Sequence, residues 1–130
     1  MEKTIFGTAC IFGTLAVVLG AFGAHGLEKL VNSDAVDSFE TGVRYQMYHA
    51  FLLFVVGLLP QLSLKAKTVI YRLILIGVLL FSFSIYLLAL NDLTAIDFKK
   101  IAFLTPLGGV FLICGWIVLG YQMIRSKASS

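Results

Sequence analysis

Apolar positions along this chain gather into four long runs separated by short polar intervals. Thr4 to Ala24 carries no charge, and Tyr45 to Leu64 is interrupted by Gln46 and His49 near its start; Val69 to Leu90 holds Arg72 in its first turn, and Ile101 to Ile124 is the last run. Each reaches the roughly 20 helical residues that cross about 30 Å of hydrocarbon, and none shows the two-residue alternation of a membrane barrel strand. The pattern predicts an all-α integral membrane four-helix bundle, one domain spanning residues 1–130.

The intervals have patterns of their own. In Gly26 to Arg44, Ser33 and Asp34 resemble a helix start, and Val36, Phe39 and Val43 recur at helical spacing with acids on the other side. No proline separates this stretch from the second run, so one helix is expected to begin outside, amphipathic and acidic, and then enter the bilayer as the second span. Glu40 and Arg44 are spaced to pair at i,i+4. Pro60 to Lys67 reads as a short turn, and Leu90 to Lys100 as a second loop. Pro106 implies either a helix start near Thr105 or a kink in a longer helix.

Composition agrees with the runs. The chain is 59% apolar and 13% charged, with a mean hydropathy of +0.96; a soluble surface could not be covered by so few polar residues. Lys3 and the small residues around "AHG" allow the first run to be read as a signal peptide, but its uncharged stretch exceeds a usual signal core and a retained span is expected. Cys10 and Cys114 fall at different depths of the first and fourth runs, so no disulfide is expected and both read as small core residues.

Sorting charges by face gives the orientation. Lys3, Lys65, Lys67, Arg72, Arg125 and Lys127 share the side of the termini with one acid, Glu2; Lys29, Arg44, Lys99 and Lys100 share the other with the six remaining acids. By the positive-inside rule the termini are expected to be cytoplasmic. The net charge of +3 calls for no nucleic-acid partner, since headgroups and orientation account for the basic residues.

In the first run Ala9, Gly13, Ala16, Gly20 and Gly23 form one stripe of small residues, the surface through which helices approach closely in lipid. Gly77, Gly108 and Gly109 are the expected receiving positions. The polar residues read differently. On a helix Gly42, Tyr45, Gln46 and His49 share one arc, with Asp37, Glu40, Arg44 and Tyr48 opposite. An unsatisfied polar group in hydrocarbon costs several kcal/mol, so His25, Tyr45, Gln46, His49, Ser82 and Ser84, with Tyr86 and Thr105 nearby, are expected to meet in a polar cluster at the external end of the bundle.

Such a cluster can be an interhelical network that fixes register, or a binding or proton-responsive site. Two histidines and solvated acids do not make a metal centre, and Ser82 and Ser84 lack any nucleophile motif, so no metal, cofactor or catalytic residue is expected. The leading expectation is a non-catalytic membrane protein that binds a membrane lipid, a membrane-protein partner or a second copy of itself through the cluster. The alternatives are a transporter or channel subunit gated by His25 and His49, and an enzyme at the membrane surface.

"GAFGAHGL" at 20–27, "RYQMYHA" at 44–50, "FSFSIYLLAL" at 81–90 and "TPLGGVFLICGW" at 105–116 together resemble the YgdD/YwdK family of small membrane proteins, over essentially the whole chain. The resemblance implies a four-span bacterial inner-membrane protein with distant eukaryotic relatives, in a family of unknown function with no catalytic residue or ligand to carry over. Phe83 stands where that motif has a glycine, which implies altered packing beside Ser82 and Ser84.

Overall fold

In the computed structural model, which describes residues 1–126, four long helices carry the fold: α1 (Glu2–His25), α2 (Ser33–Leu58), α3 (Leu64–Ala89) and α4 (Leu104–Arg125). Lys127, counted among the basic residues of the terminal side, lies outside the described residues. Local chemistry sets most boundaries. Asn32, one residue before the expected start, caps α2 by accepting the Ala35 N–H at 2.8 Å. The helix stops at Leu58 because Pro60 pushes Leu59 into an extended conformation. Ser63 then caps α3 through the Ala66 N–H at 3.1 Å, so α3 begins inside the stretch expected to be a turn. Of the two readings of Pro106 the helix start holds: it lies in the first turn of α4, where a missing N–H costs nothing. Short 3-10 turns occupy Leu27–Lys29, Asn91–Leu93 and Phe98–Ile101.

The amphipathic stretch and the second run are one unbroken helix, as their shared periodicity predicts. α1 and α2 run antiparallel in tight register. A Cβ on Gly23 would meet Phe39 at 3.2 Å, one on Gly20 would meet Val43 at 3.4 Å, one on Gly13 would meet Ala50 at 4.0 Å and one on Gly57 would meet Phe6 at 2.5 Å. The small-residue stripe of α1 therefore receives α2 within the same chain, and Ala9, Ala16 and Gly23 are buried. Gly77 and Gly108 are not its receiving surface. They serve α3 against α4, where a Cβ on Gly108 would collide with the backbone at Phe81 and would lie 2.9 Å from the Gly77 carbonyl. The larger residues of α2 fill the space that the α1 stripe leaves, so a glycine partner is not needed there.

Two apolar clusters form the interior. One gathers Ile5, Phe12, Leu53, Val56, Ile70, Ile74, Val78 and Leu112; the other gathers Leu27, Phe39, Tyr86 and Ala89. The outside is apolar too, with Val17, Ile113 and Ile117 about 60% exposed, the pattern of a bundle solvated by lipid. Cys10 and Cys114 are free and lie on this outer surface rather than in the core. Three helical segments are long and apolar enough to cross a membrane: Glu2–His25, Leu64–Ala89 and Phe98–Arg125. α2 is not among them, because Arg44, Gln46 and His49 lower the hydropathy of even its most apolar stretch.

Candidate functional site

The polar side chains of α2 point inward because they share the arc that faces α1 and α3. Gln46 is fully buried. Its carboxamide donates to the Phe12 carbonyl of α1 at 2.7 Å and accepts the Tyr86 hydroxyl of α3 at 2.7 Å. One side chain thereby ties three helices and joins the two apolar clusters. Ser82 adds a second tie between α3 and α2, donating to the Gly42 carbonyl at 2.8 Å. Gly42 is required at that point, since a Cβ there would lie 2.7 Å from the Tyr86 ring.

His49, one turn further along α2, is buried and turns toward α4. Its Nδ1 lies 2.6 Å from the Tyr45 carbonyl, and its Nε2 accepts the indole N–H of Trp116 at 3.1 Å. Beside this pair a groove of about 290 Å³ is lined by Tyr45, His49, Phe81, Gly109, Leu112, Ile113 and Trp116. Trp116 is half exposed on the outer face of the bundle.

Ser84 belongs elsewhere. Two residues from Ser82 on a helix, it faces nearly the opposite way, toward α4, where its hydroxyl lies 2.6 Å from that of Thr105 and also donates to the Phe81 carbonyl at 2.9 Å. Phe83 between them does not disturb either bond. Its ring instead meets Tyr86 edge-on, with centroids 5.5 Å apart.

The expected single cluster is therefore three separate groups: Gln46 with Tyr86 and Ser82, His49 with Trp116, and Ser84 with Thr105. Nor do the first two sit at an end of the bundle. The α1–α2 register places Gln46 and His49 beside Phe12 and Gly13, midway along α1. From its second turn onward α2, expected to project outside as far as Arg44, lies instead along the last turns of α1, with Phe39 at Gly23 and Val43 at Gly20, and that shifts its residues toward mid-height.

His25 does not join them. It is exposed at the last position of α1, about 200° around the helix from buried Gly23, so it points away from α2. Tyr45 is 40% exposed, on the edge of the arc, and contributes its carbonyl and a ring 5.0 Å from Phe81. The pair expected between Glu40 and Arg44 is also absent among the described residues; Arg44 donates to Thr41 instead, at 3.2 Å. Trp116 is the partner that residue spacing did not reveal, because a lone tryptophan in an apolar run carries no periodic signal.

A second polar group lies near the termini. The ammonium of Lys67, its side chain only 5% exposed, holds Glu2 Oε1 at 2.8 Å and the Gly57 carbonyl at 2.9 Å. Nearby, Thr8 and Tyr71 join α1 to α3 through their hydroxyls at 2.8 Å. Among the described residues every buried side-chain nitrogen and oxygen has a hydrogen-bond partner, and no three of His, Cys, Asp and Glu gather as metal ligands. Chemically, such an arrangement holds helices in register and offers neutral hydrogen bonds at mid-height.

Comparison with known proteins places the chain. Residues 19–109 match the DUF423 family, described as a protein of unknown function. The UPF0382 membrane protein YwdK of Bacillus subtilis is 43% identical over 95% of this chain and 98% of its own length. A UPF0382 membrane protein of Haemophilus influenzae is 34% identical over 98% of this chain and 99% of its own. The UPF0382 inner membrane protein YgdD of Escherichia coli is 36% identical over 92% of this chain and 88% of its own. No solved structure matches. The chain is a helical membrane protein and belongs to the DUF423 family, to which the sequence motifs pointed.

Proposed function

We propose that the protein is a non-catalytic component of the bacterial inner membrane that holds a lipid acyl chain in the groove beside His49 and Trp116. In this reading α2 is a fourth crossing helix, and both termini are cytoplasmic. The observation that carries the proposal is the groove itself: apolar Phe81, Leu112 and Ile113 surround one buried imidazole whose partner, Trp116, reaches the outer face. At mid-height in a bilayer an open apolar groove is filled by hydrocarbon, and a paired polar group at its wall gives that contact a fixed place. Since the buried polar atoms already satisfy one another, the geometry favours binding over a conducting path.

Filling the groove tests the proposal. Gly109→Leu would occupy space that glycine leaves open, since a Cβ there meets only the Phe81 ring, at 3.8 Å. Native mass spectrometry after detergent delipidation should show one phospholipid fewer on this variant than on the parent chain, with helicity and unfolding temperature unchanged. An absence of lipid on the parent, retention of as many lipids by the variant as by the parent, or capture of a second protein chain in place of lipid would overturn it.

A further inference from the structure

We infer that the end of the bundle carrying the termini binds the phosphate of an anionic phospholipid, in a cavity between the first turn of α3 and the last turns of α4. The cavity measures about 390 Å³ and lies away from the groove at His49. Its polar wall is Ser63, Lys65, Gln122 and Arg125, all at helix ends; its apolar wall, Val69 and Val118, comes from a turn or more further into the bundle. That gradient is the profile of a headgroup followed by the start of its acyl chains.

Electrostatics favour an anion. The single acid on this side, Glu2, is held by Lys67 at 2.8 Å, and that is the only ion pair among the described residues. Among the described residues, Lys65 and Arg125 therefore face the cavity with no carboxylate bound to either. The 26-residue α3 begins here with no acid in its first turn, so the positive end of its dipole adds to theirs. The last carbonyls of α4 oppose this, and Arg125, placed over the Tyr121 ring at 5.9 Å, puts a positive charge at that end of the helix. Ser63 accepts the Ala66 N–H through Oγ, which leaves its own hydroxyl proton to donate.

The flanks indicate a lipid rather than a free ion. Val69 lines the cavity while exposed, and exposed Leu64 and Tyr121 adjoin its lining residues along α3 and α4, so a ligand joining a phosphate to hydrocarbon meets both surfaces. Basic pockets between membrane helices recognise lipid headgroups in this way.

The test offers the full-length protein in detergent equimolar phosphatidylglycerol and phosphatidylcholine and reads retained lipid by native mass spectrometry. The parent should prefer phosphatidylglycerol roughly tenfold, the scale expected for two basic side chains near a headgroup. Lys65→Ala with Arg125→Ala should abolish the preference, and Lys65→Gln with Arg125→Gln serves if the alanine pair fails to fold. Lys99→Ala with Lys100→Ala, which removes the same charge from the opposite end, should keep it. No preference in the parent, or equal loss in the two charge-matched variants, would refute the site. Inorganic phosphate added at constant ionic strength should release no more lipid than chloride does; selective release would assign the cavity to the free ion and refute the lipid. The Gly109→Leu variant should retain this preference, so the two sites fail separately.

Discussion

Trp116 donates its indole N–H to Nε2 of His49 while Nδ1 of the same ring faces the Tyr45 carbonyl, and these two contacts determine the imidazole's protonation pattern. A carbonyl can only accept, so Nδ1 carries the proton; an indole N–H can only donate, so Nε2 offers its lone pair. Nitrogen-15 spectra of the imidazole should show the Nδ1–H tautomer. The Nε2–H tautomer, or a doubly protonated ring at neutral pH, would contradict the pairing.

Trp116 is the only tryptophan in the chain, so its fluorescence reports on this contact alone. His49→Ala should shift its emission to shorter wavelength as the hydrogen bond to the indole is lost, whereas Ser84→Ala should leave it in place. Combined with Trp116→Phe in a double-mutant cycle, His49→Ala should reveal a coupling of about 1 kcal/mol, the usual size for an interhelical hydrogen bond in a membrane protein. Strict additivity would mean that the two side chains do not interact.

Gln46 ties three helices, so its loss should be felt more than that of any one partner. Gln46→Ala should destabilise by about 1–3 kcal/mol, because it creates a cavity and leaves the buried Tyr86 hydroxyl unpaired. Tyr86→Phe removes one of the two bonds and should cost less. Unfolding by denaturing detergent measures both; the reverse order would show that the Phe12 and Tyr86 contacts carry no weight.

The α3–α4 contact depends on the absence of a side chain at Gly108. Gly108→Ala places a Cβ against the Phe81 backbone, which cannot move aside as a flexible side chain can, and should cost about 1–3 kcal/mol. Gly7 and Gly120 have no neighbour within 4 Å of an added Cβ. Alanine at either should be neutral or slightly stabilising, since it favours the helix. Equal effects at Gly7 and Gly108 would argue against the close approach.

Lys67 and Glu2 should behave as a unit. In the parent, Glu2→Ala leaves a buried ammonium with the Gly57 carbonyl as its remaining partner, and the unfolding temperature should fall. After Lys67→Met has removed that charge, Glu2→Ala should have little further effect. An equal fall in both backgrounds would show that the ion pair contributes nothing.

Much of this architecture was legible in the residues because the bilayer enforces simple rules. Runs of uncharged residues mark helices, and Ser33 with Asp34, Pro60 and Pro106 mark ends to within a few positions. The α2 arc of Gly42, Gln46 and His49 was legible for the same reason, as polar groups must turn from lipid toward protein. What periodicity could not supply was which helix each arc meets. Polarity and a shared place in the external half of the third span group Ser82 with Ser84, yet their directions on α3 send one to α2 and the other to α4. Nearness to the external end of the spans groups His25 with His49, though the position of His25 around α1 points it outward.

The sequence by itself determined that this is an all-helical membrane protein with a small-residue stripe on α1, an amphipathic start to α2 and polar residues that must be satisfied inside. Those properties follow from composition and local spacing, which act residue by residue. Only the tertiary structure decided that α1 meets α2 through that stripe and that α3 meets α4 at Gly77 and Gly108. It likewise decided that Gln46 and His49 lie midway along the bundle, with Tyr86 and Trp116 as partners. Those outcomes depend on the register between helices, which is set by the fit of many side chains at once and is carried by no single stretch of the chain.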